Sequence, residues 1–465
     1  MQDIATSSRK QPRSRGPASH QRRHGECGAL TRPTRATAIA AIALCLTAFV
    51  LSAGAQAKRE LTRESVLEEA WELAQLLPSL DQRAVIMADV AIAMRETNPI
   101  AAEDNLAEAA VMATNVRTEL GRALALQAVA RRLVLVDPKW GSDIFTEATV
   151  LADRLTQPGE GRKAYPAQAS LVYIEIALGR AEEDVETAKG LLGRAAEQAR
   201  AIADSEATFR IAALRDVSEA YAGIDDDAAQ ALFDEALAGA HALEDPVDRD
   251  LSLADLAGFI AKRSLQQAIS VAGSIADPAA KSQALRDVAL EIPPADAAMA
   301  LELALSIPDA PAQVSTLTDI ALGGAPEDVA AQAAQQAGDF AATLEKDDTG
   351  LEARAAAAVA WAATDVDKAL EQTKRIDDEY FAANARSRIA TYLAPRDTAK
   401  ALEVLETIER GVARVEPLRA IVDALAEIDA PKAYKLATEI RSRRFRVEAF
   451  LTIAEALPEP NAEEG

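Results

Sequence analysis

The segment Leu285-Arg286-Asp287-Val288-Ala289 has close copies at Leu214–Ser218, Leu253–Ala257 and Leu317–Ala321. Looser copies start at Met87, Leu126, Tyr173, Ala356, Arg386, Leu418 and Phe450, which makes eleven anchors. Their spacings are 39, 47, 41, 39, 32, 32, 39, 30, 32 and 32 residues. A 32-residue interval that recurs four times is not chance. Self-similarity at such a period marks stacked supersecondary units rather than one compact core.

Each unit has the same internal order. An Asp or Asp-Pro opens it, as in "LEDPVDRDLSL" and "IADPAAKSQAL", and Asp suits an N-cap while Pro suits a first helical turn. Helix A follows, with apolar residues at i, i+3, i+4 and i+7: Leu253, Leu256, Ala257, Ile260 in one unit, Leu285, Val288, Ala289, Ile292 in the next. After a short breaker comes helix B, patterned AxxLxxALxxA, whose small contact residues allow close helix approach. One such hairpin cannot bury its own apolar face, but stacked neighbours can. The expected fold is all-α: a right-handed α–α superhelix, a solenoid of about ten hairpins, on the order of 100 Å along its path. "TRESVLEEAWELAQLL" is expected to cap the N-terminal end, and "RRFRVEAFLTIAEAL", a helix A with no helix B, the C-terminal end. The spacing divides the repeats into longer ones over 58–252 and shorter ones of about 32 residues over 253–465.

"SEAYAGIDDDAAQALFDEALAGAHALEDP" (218–246) resembles a tetratricopeptide repeat. Ala220 and Tyr221 stand where that helix A carries its small and aromatic pair. Ala231, Phe233 and Ala236 resemble the helix B signature, and Pro246 the terminal proline. The turn is one residue short, and the Trp and Gly of the family's helix A are absent, so the chain is similar to the family rather than a clean match. HEAT-type repeats are the alternative. The resemblance implies a scaffold that binds proteins or peptides, with helix A lining the concave face.

Residues 1–57 differ in character. Eight Arg or Lys precede the apolar run "TAIAAIALCLTAFVLSAGAQA", which ends on Ala55-Gln56-Ala57. A basic region, an apolar region and a small-x-small site, in that order, are an export signal peptide. The expected location is periplasmic or secreted, with no stable membrane insertion after cleavage; an uncleaved membrane anchor is the alternative. Both cysteines, Cys27 and Cys45, and two of the three histidines lie in that leader, leaving His241. The leader carries eight bases and two acids, so the net charge of −23 becomes −29 without it. Such a chain repels phosphate backbones, and no nucleic-acid partner is expected.

The same inventory leaves no Cys/His set for a metal, a haem or a nucleophilic dyad, so no cofactor, no metal and no catalytic residue is assigned. "GEGRK" (159–163) lacks phosphate-loop spacing, the single Asp348-Thr349-Gly350 lacks the partner an aspartic protease needs, and "GIDDDAA" is too compressed for a calcium loop. What stands out is the acid two residues after the anchor: Asp89, Glu175, Asp216, Asp255, Asp287 and Asp319. It lies about 200° around the helix from the anchor, away from the core. On stacked A helices these carboxylates would form a ladder able to select a basic peptide. Equally, bases four residues before the anchor (Arg83, Arg122, Arg210, Arg249, Lys281, Arg414, Arg446) could pair with acids of the neighbouring unit. Trp140, at the start of a helix B, is a candidate binding anchor if exposed. The expected function is an exported, non-enzymatic scaffold for a protein or peptide, a basic one if the ladder binds it. A cell-envelope enzyme accessory or carboxylate-based glycan-acting enzyme is the alternative, and a plain rigid spacer a third.

Overall fold

The computed structural model describes residues 61–158, 163–409 and 411–458. The expected signal peptide lies outside them, as do Gly159–Arg162. The described residues form twenty-two α-helices and no strand. Eleven are A helices: α2 (Leu80–Ala93), α4 (Glu119–Leu133), α6 (Pro166–Arg180), α8 (Ala207–Tyr221), α10 (Pro246–Ala261), α12 (Pro278–Leu290), α14 (Ala310–Leu322), α16 (Asp348–Ala360), α18 (Glu379–Leu393), α20 (Val415–Ala426) and α22 (Arg443–Ala456). Eleven are B helices: α1 (Arg63–Gln75), α3 (Pro99–Thr114), α5 (Pro138–Leu155), α7 (Val185–Arg200), α9 (Asp226–Ala242), α11 (Leu265–Ser274), α13 (Ala297–Leu305), α15 (Glu327–Thr343), α17 (Val366–Thr373), α19 (Thr398–Glu406) and α21 (Ala430–Ala437). The longer spacings in the first half come with B helices of 16 to 18 residues, whereas α11 and α13 have 10 and 9.

Each A helix packs on its own B helix and on the next A helix, while adjacent B helices meet substantially only at α13 and α15. Helices that touch along one layer and splay along the other curve the wall, so the A helices form the inner layer. That curvature is carried to completion. α22 packs against α1 and also against α2. The array is an all-helical solenoid that closes on itself.

The two ends therefore do not cap an open superhelix. Among the described residues α22 is the last inner helix and α1 the first outer one. Together they make the eleventh hairpin. Their buried faces, Val66, Leu67, Ala70 and Ala74 on one side and Val447, Phe450, Ile453 and Ala454 on the other, are what two polar-faced caps would not have. Pattern alone shows an apolar face on each terminal helix, but not that the two faces meet.

The caps set the register. Asn98, Asp137, Asp184, Asp225, Ser264, Asp397 and Asp429 each cap an outer helix, and each lies eleven residues after its anchor. Asp365 caps α17 in the same way, which makes Arg354, not Ala356, the counterpart of Leu214. The revised anchor stands 32 residues before Arg386. The alanine run "ARAAAAVA" matches the motif in more than one frame, which is how the two-residue slip arises.

The bases four residues before the anchor do not serve the ladder. Arg83 donates to the Leu77 carbonyl at 2.7 Å, Arg122 to Val116 at 3.0 Å and Arg446 to Ile440 at 2.6 Å. Arg210, Lys281 and Arg414 reach Ile202, Gly273 and Ile408 in the same manner, and Gln313 reaches Leu305 at 2.9 Å. Each hooks a carbonyl at or just beyond the end of the preceding outer helix, where carbonyls lack helical partners and a cation suits the dipole. Arg249 differs: it lies 3.9 Å from Asp250, whose buried carboxylate accepts from the Ala276 and Asp277 amides. Among the described residues none of the seven bases bonds a ladder acid.

Candidate functional site

The inner wall is built by the solvent-facing stripe of the A helices. On α8 that stripe includes Thr208, Ala212, Arg215 and Glu219; on α10, Leu251 and Asp255, with Lys262 at its C-cap; on α12, Gln283, Asp287 and Leu290, with Glu291 at its C-cap. Two adjoining depressions occupy this stretch, of about 230 and 290 Å³, and they share Arg215 and Asp255. Leu251 and Leu290 are exposed beside the charges, although both are large and apolar.

The ladder acids all lie on this layer, but most are spoken for. Arg215 bridges Asp216 at 2.8 Å on its own helix and Asp255 at 2.5 Å on the next. Arg286 reaches Asp319 at 3.3 Å, and Arg388, from two inner helices further on, approaches it at 3.8 Å. Arg132 pairs with Asp89 at 2.7 Å, and Gln127 donates to Glu175 at 3.3 Å. Lys262 meets Glu219 at 3.1 Å across the α8–α10 joint. The neighbouring units do pair their charges, but through bases other than those four residues before the anchor. Arg215 and Arg286 immediately follow their anchors, so the signal was present in "LRD" itself.

Asp287 is the exception. Among the described residues it has neither a salt bridge nor a side-chain hydrogen bond. Gly258 of α10 explains its setting: a Cβ there would lie 3.1 Å from the Asp287 Cβ, so the glycine lets α12 press close. The resulting burial raises the Asp287 pKa; the nearby Arg286 opposes this, and Asp255 and Glu291 add to it. Asp319 is raised in the same way, by burial against the pull of Arg286 and Arg388. Around the larger depression four carboxylates (Glu219, Asp255, Asp287, Glu291) face two cations (Arg215, Lys262). The excess is negative, and it sits beside apolar Leu290.

Trp140 does not belong to this wall. It lies in the first turn of outer helix α5, half-buried against the core, with its amide donating to the Asp137 cap at 2.9 Å. The turn behind it is tight: a Cβ on Gly141 would fall within 2.9 Å of the Val134 backbone. His241 is exposed near the end of α9.

No protein-family model matches the chain, and no curated protein does. Among solved structures it is similar to Ton1535 from Thermococcus onnurineus NA1, at 17% identity over 78% of this chain and 98% of that one, with a TM-score of 0.31. It is also similar to a circular tandem repeat protein with novel repeat topology, at 13% identity over 85% and 94% of the two chains, with a TM-score of 0.16.

Proposed function

We propose that this protein is an exported, non-enzymatic helical-repeat scaffold, tetratricopeptide-like in its hairpins, whose inner wall binds a protein or peptide segment carrying a basic residue. The observation that supports it is the depression across α8, α10 and α12, with its excess of carboxylate over cation and its exposed leucines. A basic side chain would find Asp255, Asp287 and Glu291 together, and an adjacent apolar residue would find Leu251 or Leu290. Charge complementarity of this kind contributes specificity and on-rate more than bulk affinity.

The test is peptide binding to residues 58–465, read by fluorescence anisotropy at low and high salt. Lys/Arg-containing peptides should bind, and more weakly as salt rises. The double variant Asp255→Asn/Asp287→Asn should weaken them about tenfold, the loss expected from about 1.4 kcal/mol of charge complementarity. Equal affinity for acidic and basic peptides, or no change in the double variant, would remove the inner wall as the binding surface.

A further inference from the structure

A separate cavity, of about 380 Å³, lies on the outer side of the ring between α15 and α17, with α16 as its floor. Its origin is a local change in the repeat. Three residues after the anchor the other ten repeats carry Val, Ile or Leu: Val90, Val129, Ile176, Val217, Leu256, Val288, Ile320, Ile389, Ile421 and Ile453. Here the residue is Ala357. The anchor itself, leucine in six repeats, is Arg354. Gly350 stands four residues before that anchor, where most repeats put the hooking side chain, and a Cβ there would collide with the Glu345 carbonyl at 1.8 Å. Arg354, one turn later, takes over the hook and donates to the Leu344 and Glu345 carbonyls at 2.7 and 3.2 Å. The hook has moved into the core position and vacated the space an aliphatic side chain would fill. α15 leaves the opposite wall equally thin, with Ala341, Ala342 and Gly338, where an added Cβ would meet nothing within 4 Å.

Cations outnumber carboxylates around this cavity, against the balance of the chain as a whole. Arg354, Lys368 and Arg375 line it with one carboxylate, Asp339, and Glu371 beside the rim pairs with Arg375 at 2.6 Å, in a chain of net charge −23. Lys368 lies 3.0 Å from the centre of the Trp361 ring, which holds its ammonium beside the opening. Gln372 contributes an amide, and Ala357, Ala358, Ile376 and the indole supply the apolar floor. Volume, cationic rim and apolar floor match a small ligand with one anionic end and a short hydrocarbon body.

We propose that this cavity is a binding site for a small organic carboxylate, whose anionic group meets Lys368 and Arg375 and whose hydrocarbon part lies over Ala357, Ala358 and Trp361. It is separate from the inner wall and of opposite charge, so it stands or falls independently of peptide binding there.

The experiment is calorimetric titration of residues 58–465 with hexanoate, adipate, hexanol and hexylamine, repeated on two variants. Ala357→Ile restores the aliphatic residue that the other repeats carry and fills the floor. It should abolish carboxylate binding while the melting temperature holds or rises. Lys368→Gln/Arg375→Gln leaves the floor intact and should weaken binding about tenfold or more. Hexanol and hexylamine should not bind. Failure of both carboxylates to bind at millimolar concentration overturns the proposal. So does carboxylate binding that survives Ala357→Ile, or binding of an acidic peptide in preference to either free acid.

Discussion

Two kinds of hairpin make this ring. Ten are continuous: α4 and α5, for example, are joined by a short turn, and the Asp137 cap starts the outer helix. The eleventh, α22 with α1, joins residues from opposite ends of the chain, and the adjoining outer helix α21 adds a bond from Tyr434 to Glu69 that spans 365 positions. Both kinds use the same parts. Thr62 caps α1 with a capping box, and Arg446 hooks the Ile440 carbonyl as Arg122 hooks Val116. The closing hairpin adds polar ties that run between chain ends. Arg443 donates to the Leu76 carbonyl across 367 positions. Tyr434 also stacks on Phe450, with ring centres 5.3 Å apart and planes 15° from parallel. The difference teaches where closure comes from. For a flexible chain, closing so long a loop costs roughly 4 kcal/mol more than closing a turn of a few residues. A curved array of packed inner helices brings its ends together beforehand and removes much of that cost.

The largest effect should follow from removing the seam. Deleting residues 1–78 takes away α1 and exposes the faces of α22 that it covers. Val66 and Leu67 are fully buried and together contribute roughly 3–6 kcal/mol, at about 1.5–3 for each side chain. The truncated chain should melt at lower temperature and show a larger radius of gyration by small-angle scattering. The companion variant is a circular permutant that starts at Pro246, runs through Pro458 into Leu61 and ends at Leu243. It keeps the seam contacts and moves the break to a continuous joint. An unchanged melting temperature would show the two kinds of hairpin to be equivalent. A permutant as unstable as the truncation would show that chain connectivity, not the seam, determines stability.

Within the seam, Phe450→Ala should be the most damaging point substitution. Phe450 is fully buried at the anchor position, and such truncations cost about 3–5 kcal/mol. Leu285→Ala, at the same position of a continuous unit, should cost about 2–5 kcal/mol. Denaturant titration of both separates seam from joint: a Phe450→Ala loss well below that of Leu285→Ala would mean that the ring opens easily at its ends.

A smaller and nearly equal pair is Arg446→Ala and Arg122→Ala. Each removes one hook from a carbonyl beyond an outer helix, worth about 1–2 kcal/mol for a charged donor that is partly solvated. If the hook at the start of α22 were worth no more than a surface charge, Arg446→Ala would leave the melting temperature unchanged while Arg122→Ala lowered it.

The solenoid was legible in the sequence because a 32-residue period and an i, i+3, i+4, i+7 face are local facts. Closure was not, because nothing local in Val66 or Phe450 says which distant face each will meet. The anchor in "ARAAAAVA" slipped by two because alanine fits core and surface positions alike; only the Asp365 cap resolves it. Helical phase placed the ladder acids on the exposed face of helix A, and the tetratricopeptide resemblance implied that this face is the concave one. Their partners were not legible, since whether Arg286 reaches Asp319 or Asp287 depends on the spacing of neighbouring helices. The outer cavity was invisible for the same reason: it is an absence at Ala357, apparent only once the repeats are set in register.

The smallest expected effect is a pH dependence that distinguishes the seam from a continuous unit. Tyr434 has its phenol pKa pushed up to about 12, first by burial and then by the hydrogen bond it donates to Glu69 and by that residue's charge. Tyr173, inside a continuous unit, is pushed up to about 12 by burial and by the charge of Glu197. An unfolded tyrosine ionises near pH 10. Between about 10 and 12 the unfolded chain has therefore released a proton that the folded chain still holds, so stability falls as pH rises through that window. Below pH 10 the contribution is complete. Tyr434→Phe should flatten the alkaline decline of the melting temperature, and Tyr173→Phe should do the same. The two variants differ in what is released first. Ionising Tyr434 puts a phenolate against Glu69 across the seam, so α1 should loosen before the continuous hairpins do. Amide hydrogen exchange in α1 that accelerates ahead of α6 above pH 10, and no longer does so in Tyr434→Phe, is the expected pattern. Simultaneous acceleration in α1 and α6 would show the seam to be as firmly held as any continuous joint.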